Sequence, residues 1–125
     1  MPQSGPLGPR CSEAAVDSAI ARRGRFLAGA AEEVKSLCDP TARAELMATR
    51  AACQRALELG DCVLYTTAEP CWMCAYAIRL TGIRKVVIAS PVPTVGGTSS
   101  PHPILTLPLP GRWPPPPLVV RWQRC

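Results

Sequence analysis

The chain has 125 residues, a mass of 13.4 kDa and a net charge of +5, which bounds it to one compact domain, because single cores run to about 100–150 residues. Its 47% hydrophobic and 18% charged residues are a globular composition despite 15 prolines, and no apolar run approaches the roughly 20 residues of a bilayer span, so a membrane protein is excluded. The opening MPQSGPLGPRC lacks the basic-then-apolar pattern of a secretory signal; the expected compartment is the cytoplasm, where the seven cysteines read as thiols or metal ligands and not as disulfides.

Two Pro-rich ends bracket the expected domain: a disordered Pro/Gly-rich segment over 1–11, a folded unit over 12–112 and a Pro-rich tail over 113–125, in which Pro114 to Pro117 follow Trp113. Polyproline is extended and holds no core. Ser12 is placed to cap a short helix carrying Ala15, Val16, Ala19 and Ile20 on one side, with Gly24 as its stop and a strand over 25–30 after it. A strand over 14–17 paired with Phe26 and Leu27 is the alternative. Asp39 and Pro40 start a helix predicted over 41–59, which Gly60 ends. The apolar runs 62–66 and 86–90 predict buried strands, and 71–81, between Pro70 and Gly82, predicts a helix. Strand, helix and strand in about 30 residues predict a parallel crossover, and the whole reads as a three-layer α/β domain.

Charge is split along the chain. Residues 1–69 carry eight Lys and Arg and all nine acids, whereas 70–125 carry six basic residues and no acid. A cationic second half favours an anionic ligand such as a phosphate or a nucleic acid, or is simply a solvated basic surface.

The sharpest local pattern is Pro70-Cys71-Trp72-Met73-Cys74, set where a buried strand turns into a helix. Two thiols three residues apart at a helix start point the same way, and the helix dipole favours their thiolates, as a divalent metal requires. Two thiolates do not complete a catalytic zinc site, which takes three protein ligands and an open position for water. A lone Cys-x-x-Cys also occurs in redox proteins and in packed cores. The second pattern, Asp39-Pro40-Thr41-Ala42-Arg43-Ala44-Glu45, opens the preceding helix, with Glu45 lying 25 residues before Pro70.

On these residues the sequence resembles the zinc-dependent cytidine deaminase superfamily, whose signature is His-x-Glu followed by Pro-Cys-x-x-Cys. DPTARAELMATRAAC is similar to the first motif region and DCVLYTTAEPCWMCAYAIRLTGIRKVVIASPVP to the second, while VGGTSSPHPIL resembles bacterial nucleobase and nucleoside deaminases more than tRNA adenosine deaminases. The resemblance implies a three-layer α/β/α fold with a central mixed sheet, shortened at both ends. It implies hydrolytic deamination of a nucleobase or nucleoside, with Zn2+ held by Cys71 and Cys74 as thiolates and the pKa of its bound water lowered. Glu45, not itself a ligand, would take that proton and return it to the ring nitrogen and the leaving ammonia. The backbone N–H groups of Ala44 and Cys71 would orient the substrate's polar edge. It further implies a homo-oligomer. An acid in the first helical turn, favouring the dipole, is the plain structural reading of Glu45.

One departure bears on everything else. Arg43 stands where the family has its histidine, and a guanidinium is permanently charged and offers only donors, so it is no zinc ligand. Three outcomes stay open: His102 or Cys38 supplies the third ligand; zinc binds weakly through Cys71, Cys74 and water; or no metal is held, Arg43 pairs with Glu45 or the thiolates, and the domain is a non-catalytic partner or RNA-binding subunit. The family's substrate-contacting asparagine corresponds to the stretch Ala31, Glu32, Glu33, whose carboxylates would repel phosphate. Of the helix and two strands expected before Asp39, the residues available accommodate two, and a further helix is expected near the C-terminus. Trp72 is placed to flank a planar base or to fill the core, and residues 98–102 to line the mouth of the pocket.

Overall fold

The structure, a computed structural model, describes residues 17–122. The expected segment 1–11 and the Ser12 cap lie outside the described residues. Strand β1 (Asp17–Arg22) turns back through Arg23 and Gly24 into β2 (Arg25–Ala31). Both turn residues have positive φ, 53° and 77°, and Arg22 pairs with Arg25; this is the two-residue geometry whose twist matches the flanking strands, and glycine supplies half of it without strain. The helix expected to run into Gly24 is therefore corrected to a hairpin. Ser18 and Ile20 are buried while Asp17 is exposed, the two-residue period of a strand, and pairing with a central strand overrides the helical propensity of the alanines. The alternative strand was misplaced as well: Phe26 pairs with Ala21, within β1 and not within 14–17.

Helix α1 (Ala44–Cys53) is shorter than predicted at both ends. Asp39 Oδ1 accepts bonds from the Thr41 N–H at 2.9 Å and the Thr41 hydroxyl at 2.7 Å, which holds 39–42 in a turn. Extended Arg43 (ψ 146°) is then the N-cap. At the far end Gln54 and Arg55 donate three residues back, to Ala51 and Ala52, tightening the last turn; Leu57 beyond it is wholly exposed while Leu59 rejoins the core outside the helix. Strand β3 (Cys62–Ala68), helix α2 (Trp72–Thr81) and strand β4 (Lys85–Ser90) follow the predicted crossover within one or two residues, with β3 and β4 parallel.

The tail over 113–125 needs correction. Residues Leu118–Arg121 form strand β5, parallel to β4 and opening on a bond from the Leu118 N–H to the Arg84 carbonyl at 2.9 Å. The prolines lack donors but hold an extended path, Trp113 packs on Tyr76 with ring centroids 5.4 Å apart, and the β-branched pair Val119 and Val120 then completes the edge.

The sheet order is β2-β1-β3-β4-β5, mixed as expected. Ile20, Leu64, Val86 and Ile88 point from the sheet into one core with Ala48 and Ala52 of α1 and Ala75 and Ile78 of α2. Both helices thus lie on one face, and alanines let them sit close to it. A third layer is not among the described residues: the opposite face carries an open groove lined by Ala19, Tyr65, Val87 and Trp122. No helix among them is long and apolar enough to cross a membrane. Two strands precede Asp39, so of the three elements expected there the described residues hold both strands and no helix.

Arg79 of α2 is fully buried. Its Nη1 donates to the carbonyls of Ile104 at 2.8 Å, Leu105 at 3.4 Å and Leu107 at 2.6 Å, pinning the 104–107 segment over the core. Arg79→Ala leaves those carbonyls without this donor and opens a void; we expect a loss of about 3 kcal/mol in urea unfolding.

Candidate active site

The starts of α1 and α2 face each other. Arg43 is the N-cap of α1, Ala44 its first residue and Glu45 its second, the last two fully buried. Cys71 is the N-cap of α2 and Cys74 lies buried in its first turn. Contact between the two helices brings Glu45 and Arg43 within electrostatic reach of both sulfurs. The bond from the Cys74 thiol to Cys71 lowers the Cys71 pKa, despite burial, with Arg43 adding to the effect; that same bond and burial push Cys74 up. Both Glu45 carboxylate oxygens are buried without a partner, and burial raises the group from 4.5 to about 7 despite the neighbouring guanidinium.

The guanidinium of Arg43 is held elsewhere than expected. Its Nε lies 3.0 Å from Glu32 Oε1 in an ion pair whose Glu32 side chain is 10% exposed. Burial opposes its charge, but Glu32, Cys71, Glu45 and Cys74 together outweigh that and raise its pKa. Arg43 therefore pairs with neither Glu45 nor the thiolates. The Glu32 carboxylate, read from sequence as a repeller of phosphate, is spent on this cation.

The other expected donors are not brought in. Cys38 is exposed, its Sγ 3.8 Å from the Lys35 carbonyl. His102 is exposed on the loop after β4, its ring 5.5 Å from that of Trp72 in a T-shaped pair. Among the described residues no three His, Cys, Asp or Glu side chains are grouped to hold a metal ion, so completion of the site by His102 or Cys38 is corrected. With two thiols, a guanidinium and no third donor, the residues present do not fit a catalytic zinc centre.

Sequence reading missed two groups. One is Glu32, whose partner could be found only in space. The other is Glu69, the last acid of the chain and 2% exposed; burial would raise its pKa, yet bonds from Ser99, Thr98 and Val92 hold it at about 2. A lone acid just before the Pro-Cys pattern was the available signal.

Two outcomes follow. Arg43→His alone leaves Glu32 without its partner, and because the Arg43 side chain is 33% exposed the loss is about 1 kcal/mol; the double variant R43H/E32N removes that cost and supplies an imidazole donor. Elemental analysis is expected to find substoichiometric zinc in the wild type and a ratio rising toward one per chain in the double variant. The Glu45 shift gives a pH signature. Because its folded pKa lies above its unfolded one, the native chain binds the extra proton between 4.5 and about 7, so stability is full below the lower value and falls as pH rises through the higher. The loss is on the order of 3 kcal/mol, and Glu45→Gln should abolish it when urea unfolding is compared at the two ends of that window.

Known proteins can be set beside this geometry. Residues 7–90 match the family described as the cytidine and deoxycytidylate deaminase zinc-binding region. The chain is 40% identical over 98 residues to a tRNA-specific adenosine deaminase of Aquifex aeolicus (strain VF5), covering 77% of this chain and 65% of that one. It is 44% identical over 73 residues to a guanine deaminase of Bacillus subtilis (strain 168), covering 57% and 47%. The chain thus spans between about half and two thirds of the length of these curated relatives. Among solved structures, one from studies of A-to-I editing by tRNA:A34 deaminases superposes with a TM-score of 0.75 at 29% identity, over 86% of this chain and 82% of the other. The matched residues 7–90 take in both helix starts, the one bearing the buried Glu45 and the one bearing Pro70-Cys71-Trp72-Met73-Cys74, and the chain belongs to the cytidine and deoxycytidylate deaminase family.

Proposed function

We propose that the chain is a hydrolytic deaminase acting on the exocyclic amine of a purine nucleobase or nucleoside. One observation carries the reading: the Glu45 carboxylate, buried and with both oxygens unpartnered, opens α1 opposite the cysteines that open α2. A buried carboxylate without partners is costly, and such a cost is sustained where the group must exchange protons with a ligand. The purine preference rests on the relatives, named for adenosine in tRNA and for guanine.

In this reading Glu45 accepts a proton from water as its oxygen attacks the ring carbon that bears the amine. Glu45 then delivers that proton to the ring nitrogen, takes the proton of the new hydroxyl and passes it to the amine, so that the C–N bond breaks, ammonia leaves and the carbonyl forms. Water and amine are consumed, carbonyl and ammonia are formed, and the carboxylate is regenerated. The N–H groups of Ala44 and Cys71, at the two helix starts, are the proposed donors to the ring's polar edge. The family's zinc, when bound, would acidify the water, but Arg43 occupies the place of a donor and the residues present do not fit that ion.

Arg43 also favours a second reading, a non-catalytic partner or RNA-binding subunit whose cationic second half meets the anionic chain. Ammonia release from adenosine, guanine and a tRNA adenosine substrate decides between the two. Release by the wild type that falls at least about a hundredfold in Glu45→Gln supports the deaminase. No release by the wild type on any of the three overturns it, whether or not R43H/E32N is active, and salt-sensitive RNA retention then supports the subunit.

A further inference from the structure

The loop after β4 is gathered around a single side chain. Glu69 Oε1 accepts from the Val92 N–H at 2.8 Å and the Ser99 hydroxyl at 2.6 Å. Its Oε2 accepts from the Thr98 N–H at 2.6 Å, the Thr98 hydroxyl at 2.6 Å and the Ser99 N–H at 2.8 Å. Among the described residues no Lys or Arg pairs with this buried carboxylate, which is held by loop N–H and hydroxyl dipoles. A side chain at Gly96 would run into the Glu69 carboxyl, so the loop closes on it only because that position is glycine. The same loop is fastened to the Pro-Cys motif: the Gly97 N–H donates to the Pro70 carbonyl at 2.8 Å, and Cys71 forms an antiparallel bridge with Gly96.

Beyond the clamp the loop delivers two groups to the start of α2. Ser100 Oγ accepts the Trp72 indole N–H at 2.9 Å, and His102 sets its ring against Trp72 edge to face. Trp72 is 38% exposed and adjoins Cys71, so a partly open aromatic surface stands beside the proposed reacting centre. Its orientation is fixed by Ser100, which is fixed in turn by its clamped neighbours Thr98 and Ser99.

We propose that Glu69 is a positioning residue: by gathering residues 92–99 it sets Ser100 and His102 against Trp72 and so builds an aromatic wall on which a planar base stacks beside Cys71. This rests on the deaminase reading for the identity of the base, not for the clamp itself. Stacking of a base on such a surface is favourable for any purine, so the wall acts on substrate binding more than on the chemical step.

The test compares Glu69→Gln, whose amide nitrogen cannot accept from the loop N–H groups, with T98A/S99A, which removes two hydroxyl donors and keeps the carboxylate. In a proton–nitrogen spectrum of the full chain, assigned with Trp72→Phe, the Trp72 indole resonance is expected to move in both variants, and hydrogen exchange over residues 92–99 to quicken. With adenosine and guanine as probes, KM is expected to rise about tenfold and kcat to change less than threefold. An unmoved indole resonance with unchanged exchange in both variants overturns the proposal, as does a fall in kcat at constant KM. If Glu69→Gln does not fold, T98A/S99A carries the same readings. If no protein releases ammonia, the deaminase reading fails by itself, while the indole resonance and exchange still decide whether Glu69 places the wall.

Discussion

The contact between Arg43 and Glu32 organises the site. It joins the residue just after β2 to the residue that caps α1, and the Glu33 N–H bond to the Ala42 carbonyl at 2.9 Å closes the same junction through the backbone. The Arg43 side chain is 33% exposed, so solvent screens part of its charge and the pairing with Glu32 is a modest stabilising contact that fixes where the guanidinium lies. Arg43 and Glu32 are thereby coupled, each the other's ion-pair partner, and the guanidinium stays within electrostatic reach of Cys71, Cys74 and Glu45.

That charge accounts for the electrostatics around it. It helps hold the Cys71 thiol low and offsets part of the burial that raises Glu45. Where a bound cation would supply the positive charge in the family's metal centre, here the chain supplies one covalently, at a fixed position and without a lone pair to share. That single charge, shared with Glu32, lowers Cys71 but leaves Glu45 and Cys74 raised, and it offers no lone pair for coordination.

The second half of the chain is organised by two buried charged groups of opposite sign. Glu69 collects N–H and O–H donors from 92–99, and Arg79 collects carbonyls from 104–107. Among the described residues neither has an ion-pair partner; Glu69 is satisfied by backbone N–H groups and two hydroxyls and Arg79 by backbone carbonyls, which wraps a loop rich in Pro, Ser and Gly around α2. Glu69 being the last acid, no carboxylate side chain beyond it offsets the positive charge of 70–125.

The parts legible in the sequence were those written in local chemistry. Pro70 before two cysteines, Gly82 after an apolar run, and Asp39-Pro40 ahead of Glu45 mark helix starts and stops over a few residues, and the β3-α2-β4 crossover followed from them. What needed the folded chain were pairings over distance. Asp17–Arg22 is a strand because β3 lies beside it, Leu118–Arg121 is a strand because β4 has an open edge, and α1 stops at Cys53, with Leu57 left exposed and Leu59 reaching the core from outside the helix. The amino-acid order alone determined which chemical groups the protein owns and that a cysteine pair and a glutamate each open a helix. Only the tertiary structure decided that Arg43 answers to Glu32, that His102 meets Trp72 and not the sulfurs, and that Glu69 holds a loop, because propensity and spacing act over neighbouring residues whereas a buried charge is satisfied by whatever the fold brings within about 3 Å.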